Sequence, residues 1–263
     1  MIFDYHIHTP LCHHAIGHPR EYVLQALAKG LSEIGFSDHN PMPTQFDDWR
    51  MAPTDLPAYL SLIEEVRAEF PDFPIKLGLE CDFIPGFEHH IQHLATSAPF
   101  DYMIGAVHYI QDGWDIDNPF KRNLWKELPV EEVWKRYFHL YTQAANSGLF
   151  DFLAHPDLVK KFGDKPAGEL KPYYRECLDA LADNKIAIEI NTAGLRKDIQ
   201  EVYPSREFLE MAHQRHIPIL INSDAHDPKD VAASFDLARD LARSVGYTHL
   251  TRFDKRRPIP TPF

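Results

Sequence analysis

The chain opens Met1-Ile2-Phe3-Asp4-Tyr5-His6-Ile7-His8-Thr9-Pro10-Leu11-Cys12-His13-His14, and this stretch decides between two folds. Residues 2–8 read as a first β-strand. The segment just beyond it discriminates. An open doubly wound sheet carries a glycine-rich phosphate loop after its first strand; here stand a proline, a cysteine and two histidines. Polar chemistry at the carboxyl end of a strand is the habit of a closed α/β barrel.

The rest of the chain repeats the unit. Apolar runs at 32–38, 75–82, 102–109, 152–155, 186–191 and 217–223 read as further strands. Amphipathic stretches at 19–30, 54–70, 130–148, 168–184, 204–216 and 228–245, with a shorter one at 87–97, read as helices. The first of these has Pro19 at its start and Gly30 at its end, the usual helix punctuation. Seven β-then-α units with no break in composition predict one parallel sheet, and residues 1–263 as a single domain. A short strand is expected over 248–253 and an irregular tail over 256–262.

Composition narrows the function. The chain has 263 residues, 44% of them hydrophobic, enough for a sizeable core. No segment approaches the ~20 apolar residues of a membrane span, and the first residues lack the basic-then-apolar pattern of a signal peptide. Three cysteines (Cys12, Cys81, Cys177) do not make a disulfide framework, so a reducing cytoplasm is expected. A net charge of −12 opposes general nucleic-acid binding, because phosphate backbones are repelled without a basic groove. Bound divalent cations would offset part of that charge. Oligomeric state is not readable from the sequence.

The strand ends carry the chemistry. His6 and His8 are two apart on a strand, so both rings enter one space while Ile7 turns into the packing. Such a pair suits a borderline transition metal. Asp224-Ala225-His226 repeats the spacing after the last strong strand, which becomes the first strand's neighbour when a barrel closes. The competing reading there is a turn in which Asp224 caps the next helix. His39 ends the second strand, with Asp38 expected to orient a neighbouring ligand. Glu80 ends the third, His108 the fourth and His155 the fifth. By contrast, His89, His90 and His93 crowd a predicted helix and read as a solvated face, as do His139, His213, His216 and His249. Cys12 and Cys81 flank motif residues, with Cys81 facing away from Glu80. His18 is either a support for the first loop or simply the residue before Pro19.

As an ordered set, His6-x-His8, Ser37-Asp38-His39, Glu80, His108, His155 and Asp224-x-His226 resemble the motifs of the polymerase-and-histidinol-phosphatase (PHP) superfamily. The likeness is closer to its histidinol-phosphate phosphatase branch, through Thr9-Pro10-Leu11-Cys12-His13-His14-Ala15, Gly105-Ala106-Val107-His108-Tyr109, residues 157–163 and Asn191-Thr192-Ala193-Gly194-Leu195-Arg196. The resemblance implies a distorted (β/α)7 TIM-like barrel with three divalent metal ions at the carboxyl ends of the strands. One metal would take His6, His8, Glu80 and Asp224. A second would take Glu80, His108 and His155, so that Glu80 bridges. A third would take His39, His226 and a loop histidine, His14 by the family's spacing, with His13 as the neighbour to distinguish from it. Zinc, manganese and iron all suit such mixed donors.

The same resemblance implies hydrolysis of L-histidinol phosphate to L-histidinol and phosphate by a metal-activated hydroxide, with Glu80, Asp224 and His226 at the reacting centre. Arg196 would fork onto the phosphate, assisted by Lys160 or, by the likeness, Lys161. Two other readings stand beside this one. The first is a related phosphatase or phosphodiesterase acting on another small ester. The second is a non-catalytic module stabilised by metal.

Overall fold

Seven short parallel strands set the frame of the computed structural model, which describes residues 1–263. They are β1 (Phe3–Asp4), β2 (Glu33–Phe36), β3 (Ile75–Asp82), β4 (Tyr102–Ala106), β5 (Phe152–Leu153), β6 (Ala187–Asn191) and β7 (Ile219–Asn222). They lie side by side in chain order, every pair parallel. Helices α1 (Pro19–Ala28), α2 (Leu56–Glu69), α3 (Glu88–Ser97), α4 (Val130–Asn146), α5 (Lys171–Asn184), α6 (Arg206–Gln214) and α7 (Phe235–Val245) alternate with them. No helix is long and apolar enough to cross a membrane.

The barrel nearly closes. β1 and β7 share no ladder, but beyond their ends Ile7 bridges Ala225 in parallel. His8 N donates to Ala225 O and Ala225 N to His6 O. Closure therefore occurs beside the two histidine motifs. Residues 2–8 are expected as a full strand, yet only Phe3–Asp4 enters the ladder. Tyr5 N instead donates to the Asn222 side chain, which substitutes for strand pairing across the seam.

Aromatic side chains fill the interior, and glycine makes room for them. Tyr102 packs so tightly that a Cβ at Gly78 would sit 2.2 Å from its ring, and one at Gly35 would sit 2.3 Å from its hydroxyl. That hydroxyl donates to Tyr5 O and Phe36 O. A core of 68 buried residues runs from these layers out to the helices. Burial on that scale supplies the main drive to fold.

Two expectations need correction. The stretch 228–245 is not one helix. A 3₁₀ turn at Pro228–Asp230 precedes α7, and Ala232 and Ser234 between them adopt left-handed backbone, φ 49° and 60°. Ala232 N donates to Asp4 there, tying the break to β1. The tail is not irregular either: β8 (His249–Asp254) and β9 (Arg257–Pro262) form an antiparallel hairpin. Pro258, Pro260 and Pro262 recur at every second position of β9. Their missing N–H groups fall on its unpaired edge, where proline is tolerated. The hairpin closes the amino end of the barrel: Arg252 pairs with Glu33, and Phe253 stacks on Phe152 at 5.5 Å.

Candidate metal centre

The carboxyl ends of the strands converge on Glu80, which is 1% exposed at the mouth of the barrel. Its Oε2 lies 3.3 Å from His6 Nε2, 3.6 Å from His8 Nε2 and 2.9 Å from His39 Nδ1. Its Oε1 lies 3.0 Å from His155 Nε2 and 3.9 Å from His108 Nε2. Asp224 Oδ1 faces the first pair, 3.7 Å from His6 Nε2 and 3.3 Å from His8 Nε2. One carboxylate thus faces two groups of imidazoles with its two oxygens.

A third group sits beside them. The His14 ring is 4.5 Å from His226 and 5.4 Å from His39, and His8 stacks on His226 at 4.0 Å. His13 points elsewhere: it is exposed, with Nδ1 against Asp48 O. Cys12 lies with its Sγ within 4.8 Å of ligand atoms of His14 and His226. Burial raises its thiol pKa, but hydrogen bonding to His14 and His8 prevails and draws it down. Cys81 is fully buried, and burial pushes its thiol up.

The donor set fits cations. His6 Nε2, His8 Nε2, His39 Nδ1, Glu80 Oε2 and His226 Nε2 are buried without hydrogen-bond partners. Buried polar atoms are otherwise almost always satisfied, so this many in one space ask for a ligand. Their charge states agree. Burial would raise the Glu80 carboxyl, but the charge of His6, with hydrogen bonds from His155 and His39, holds it well below the carboxylate range. Burial, then the charge of His8, holds His39 and His226 far below an ordinary imidazole, so both are neutral. Burial likewise disfavours charge on His6, yet Glu189, Glu80 and Asp224 raise its pKa well above normal; a cation would take over that role.

Around these residues stands a layer that fixes ring orientation. Asp38 Oδ1 is 3.4 Å from His8 Nδ1, the orienting place expected for it. Glu189 holds His6 Nδ1 and also accepts from His155 N, Asn191 and Asn222. Asp82 Oδ1 is 2.9 Å from His108 Nδ1. Sequence reasoning missed Glu189 and Asp82. The available signals were a lone carboxylate inside the buried run Ala187–Asn191 and, in Ile75–Asp82, a second carboxylate two residues after Glu80 and so on the same strand face.

A cavity of about 1130 Å³ opens over the cluster, lined by Trp49, Tyr109, Arg196 and Lys161 among others. Arg196 Nη2 donates to Ser223 O and Asp224 O, and Nε lies 3.4 Å from Asp230; Nη1 is left out of these contacts. Lys161 Nζ donates to Asp117, whereas Lys160 is buried against Val202, Asp157 and Glu201 and does not line the cavity. The remaining histidines lie away from it. His18 caps α1, His90 meets Pro41 O, and His89 and His93 are exposed.

Residues 4–193 match the PHP domain family model. The chain is 40% identical to a probable histidinol-phosphatase of Deinococcus radiodurans, over 97% of this chain and 98% of that one. It is 31% identical to the histidinol-phosphatase of Bacillus subtilis, over 89% and 96% respectively. Its structure superposes on histidinol phosphate phosphatase from Lactococcus lactis, solved with zinc, L-histidinol and phosphate, at a TM-score of 0.83 and 27% identity, covering 98% of both chains. A barrel whose strand ends gather these histidines and carboxylates in this order, with relatives matched along nearly its whole length, belongs to the PHP domain family and to its histidinol-phosphatase branch.

Proposed function

We propose that the protein hydrolyses L-histidinol phosphate to L-histidinol and phosphate, a step of histidine biosynthesis, using three divalent cations held at the barrel mouth. The observation that carries this is the double-faced Glu80, with an imidazole pair on each side and a third histidine group adjoining. His6, His8, Glu80 and Asp224 would hold one cation, Glu80, His108 and His155 a second, and His14, His39 and His226 a third. When bound, zinc, manganese or iron would lower the pKa of water toward neutrality and offset charge on phosphoryl oxygens.

The chain's own groups do the rest. Arg196, anchored through Nη2, can offer Nη1 to a phosphate oxygen, and Lys161 adds positive charge across the cavity. The aromatic wall of Trp49 and Tyr109, stacked at 5.9 Å, suits a ring-bearing ester. The acidic rim, including Asp48 and Asp112, suits an ammonium group. The unbroken 68-residue core supports residues 1–263 as one folding unit, and three free buried cysteines suit a reducing cytoplasm.

The test is phosphate release by metal-replete protein against a panel of phosphorylated metabolites. Turnover should favour L-histidinol phosphate over sugar phosphates and generic aryl phosphates. Preference for another ester would move the assignment elsewhere in the family, and no release from any ester would remove it.

A further inference from the structure

Residues 40–55 run from the end of β2 to α2 with no regular secondary structure, and they cover one side of the metal centre. Segments this long without structure of their own are usually functional loops. What orders this one is Arg50, whose side chain is 2% exposed. Its Nε donates to Asp47 Oδ2 at 2.7 Å, Nη1 to the carbonyl and side chain of Asn40 at 3.2 Å each, and Nη2 to Asp82 Oδ2 at 2.8 Å. A charge this deeply buried needs such complete pairing.

Each end of the fork reaches the reacting centre. The Asp82 oxygen not held by Arg50 lies 2.9 Å from His108 Nδ1, which leaves Nε2 facing Glu80. On the other side, the guanidinium lies 4.5 Å from the ring centre of Trp49. Trp49 in turn meets His39 edge-on at 4.7 Å and His108 at 5.4 Å, and stacks on Tyr109. Tyr109 closes the circuit by donating to Asp47.

We propose that Arg50 is a positioning residue: its guanidinium clamps the 40–55 loop to Asp82, fixing both the His108 imidazole and the Trp49 wall of the substrate cavity. The proposal rests on reading that cavity as the site of phosphate-ester hydrolysis. Arg50 does not line the cavity itself. A lysine would restore one charge without the planar fork that holds Asp47, Asn40 and Asp82 together.

The experiment compares unsubstituted protein with Arg50→Lys, Arg50→Met and His108→Ala. Each is stripped of metal and titrated with manganese alone; metal-free Tm and the kcat and KM for L-histidinol phosphate are measured in parallel. In Arg50→Lys and Arg50→Met, the equivalent missing from His108→Ala should weaken about 10–100-fold, as loss of orienting partners does. The other equivalents should hold, and KM should rise. Arg50→Lys should lose less Tm than Arg50→Met yet recover neither effect. Unsubstituted metal affinities and kinetics in Arg50→Lys would overturn the proposal. So would an equal loss at every site that tracks a falling Tm. Should Arg50→Met fail to fold, Arg50→Lys decides. Absence of turnover in the unsubstituted protein would count against the proposed reaction alone, since the titration still judges the clamp.

Discussion

Glu189 presents both of its carboxylate oxygens to His6 Nδ1, at 3.1 and 3.0 Å. The contact commits that nitrogen and leaves Nε2 as the atom facing Glu80 and Asp224. Around the carboxylate stand only donors, from His155 N and the amides of Asn191 and Asn222.

Glu189→Gln should therefore disturb the centre although it preserves shape. An amide NH₂ would face one of those donors, and His6 would lose the charge that raises its basicity. Metal affinity should fall about 10–100-fold, read by competition with a chelator. Unchanged affinity would reduce Glu189 to a packing residue.

Glu80→Gln tests the bridge. One carboxylate faces two groups of imidazoles, so removing its charge should weaken the hold on both of the cations proposed there. Turnover of L-histidinol phosphate should drop by orders of magnitude, with metal content falling by more than one equivalent at limiting metal. Near-normal turnover in a metal-replete variant would rule out the bridging role.

Metal stoichiometry separates three sites from fewer. Saturated protein should carry close to three equivalents by elemental analysis. His14→Ala and His226→Ala should each empty the same one, because their rings are 4.5 Å apart. One equivalent, unaltered in His226→Ala, would contradict the arrangement.

His108 contributes to the pH dependence together with His6 and His8, whose pKa values are also raised well above an ordinary imidazole. In metal-free protein, burial disfavours the charged form of His108, but Asp82 prevails and raises its pKa from 6.5 to about 10. A pKa raised on folding contributes stability that is fully present below the unfolded value and is lost as pH rises through the folded one. Metal-free Tm should fall between pH 6.5 and 10, while cation affinity rises over the same window because the proton must leave. Thermal melts and metal titrations across that range check both signs. A flat metal-free Tm would show that the His108–Asp82 pair does not set stability there.

Legibility in the sequence depends on distance along the chain. Ile75–Asp82 is readable to the residue because eight residues of uninterrupted strand carry their own signal. β1 reads too long, because its pairing is ended by the seam geometry with Asn222, 217 residues away. His6, His8 and His226 can be found because a two-residue spacing fixes a shared face, and His39, His108 and His155 because each ends a strand. Glu189 shows in the sequence only as a carboxylate in a buried run; its role cannot be read there, because the partner that gives it meaning is His6. Arg50 and Trp49 lie in a stretch without periodicity, where only contacts made in the fold reveal a role. The β9 prolines mislead in another way: they signal irregular chain until a single pairing edge accommodates them.

Arg196 distinguishes phosphate recognition from bare metal chemistry. A cation cluster can hydrolyse many esters, so selectivity must come from groups that grip the rest of the substrate and align its phosphate. Arg196 is a quarter exposed and is held by the carbonyls of Ser223 and Asp224, which aims the guanidinium from the Asp224–His226 side of the centre. If Nη1 and a neighbouring N–H meet phosphate oxygens, Arg196→Ala should lower kcat/KM by roughly two powers of ten. Arg196→Lys should recover little, since an ammonium restores charge but not the fork. Because the contacts are to carbonyls rather than to the Asp224 carboxylate, metal content should not change, and it must be assayed beside the kinetics. Asp224 sits at φ 53°, a left-handed position whose carbonyl accepts from Arg196. Loss of metal in Arg196→Ala but not in Arg196→Lys would therefore assign Arg196 to holding that turn. Loss of kcat/KM in both with metals retained would place it on the phosphate, and unchanged kinetics in both would remove it from the reaction.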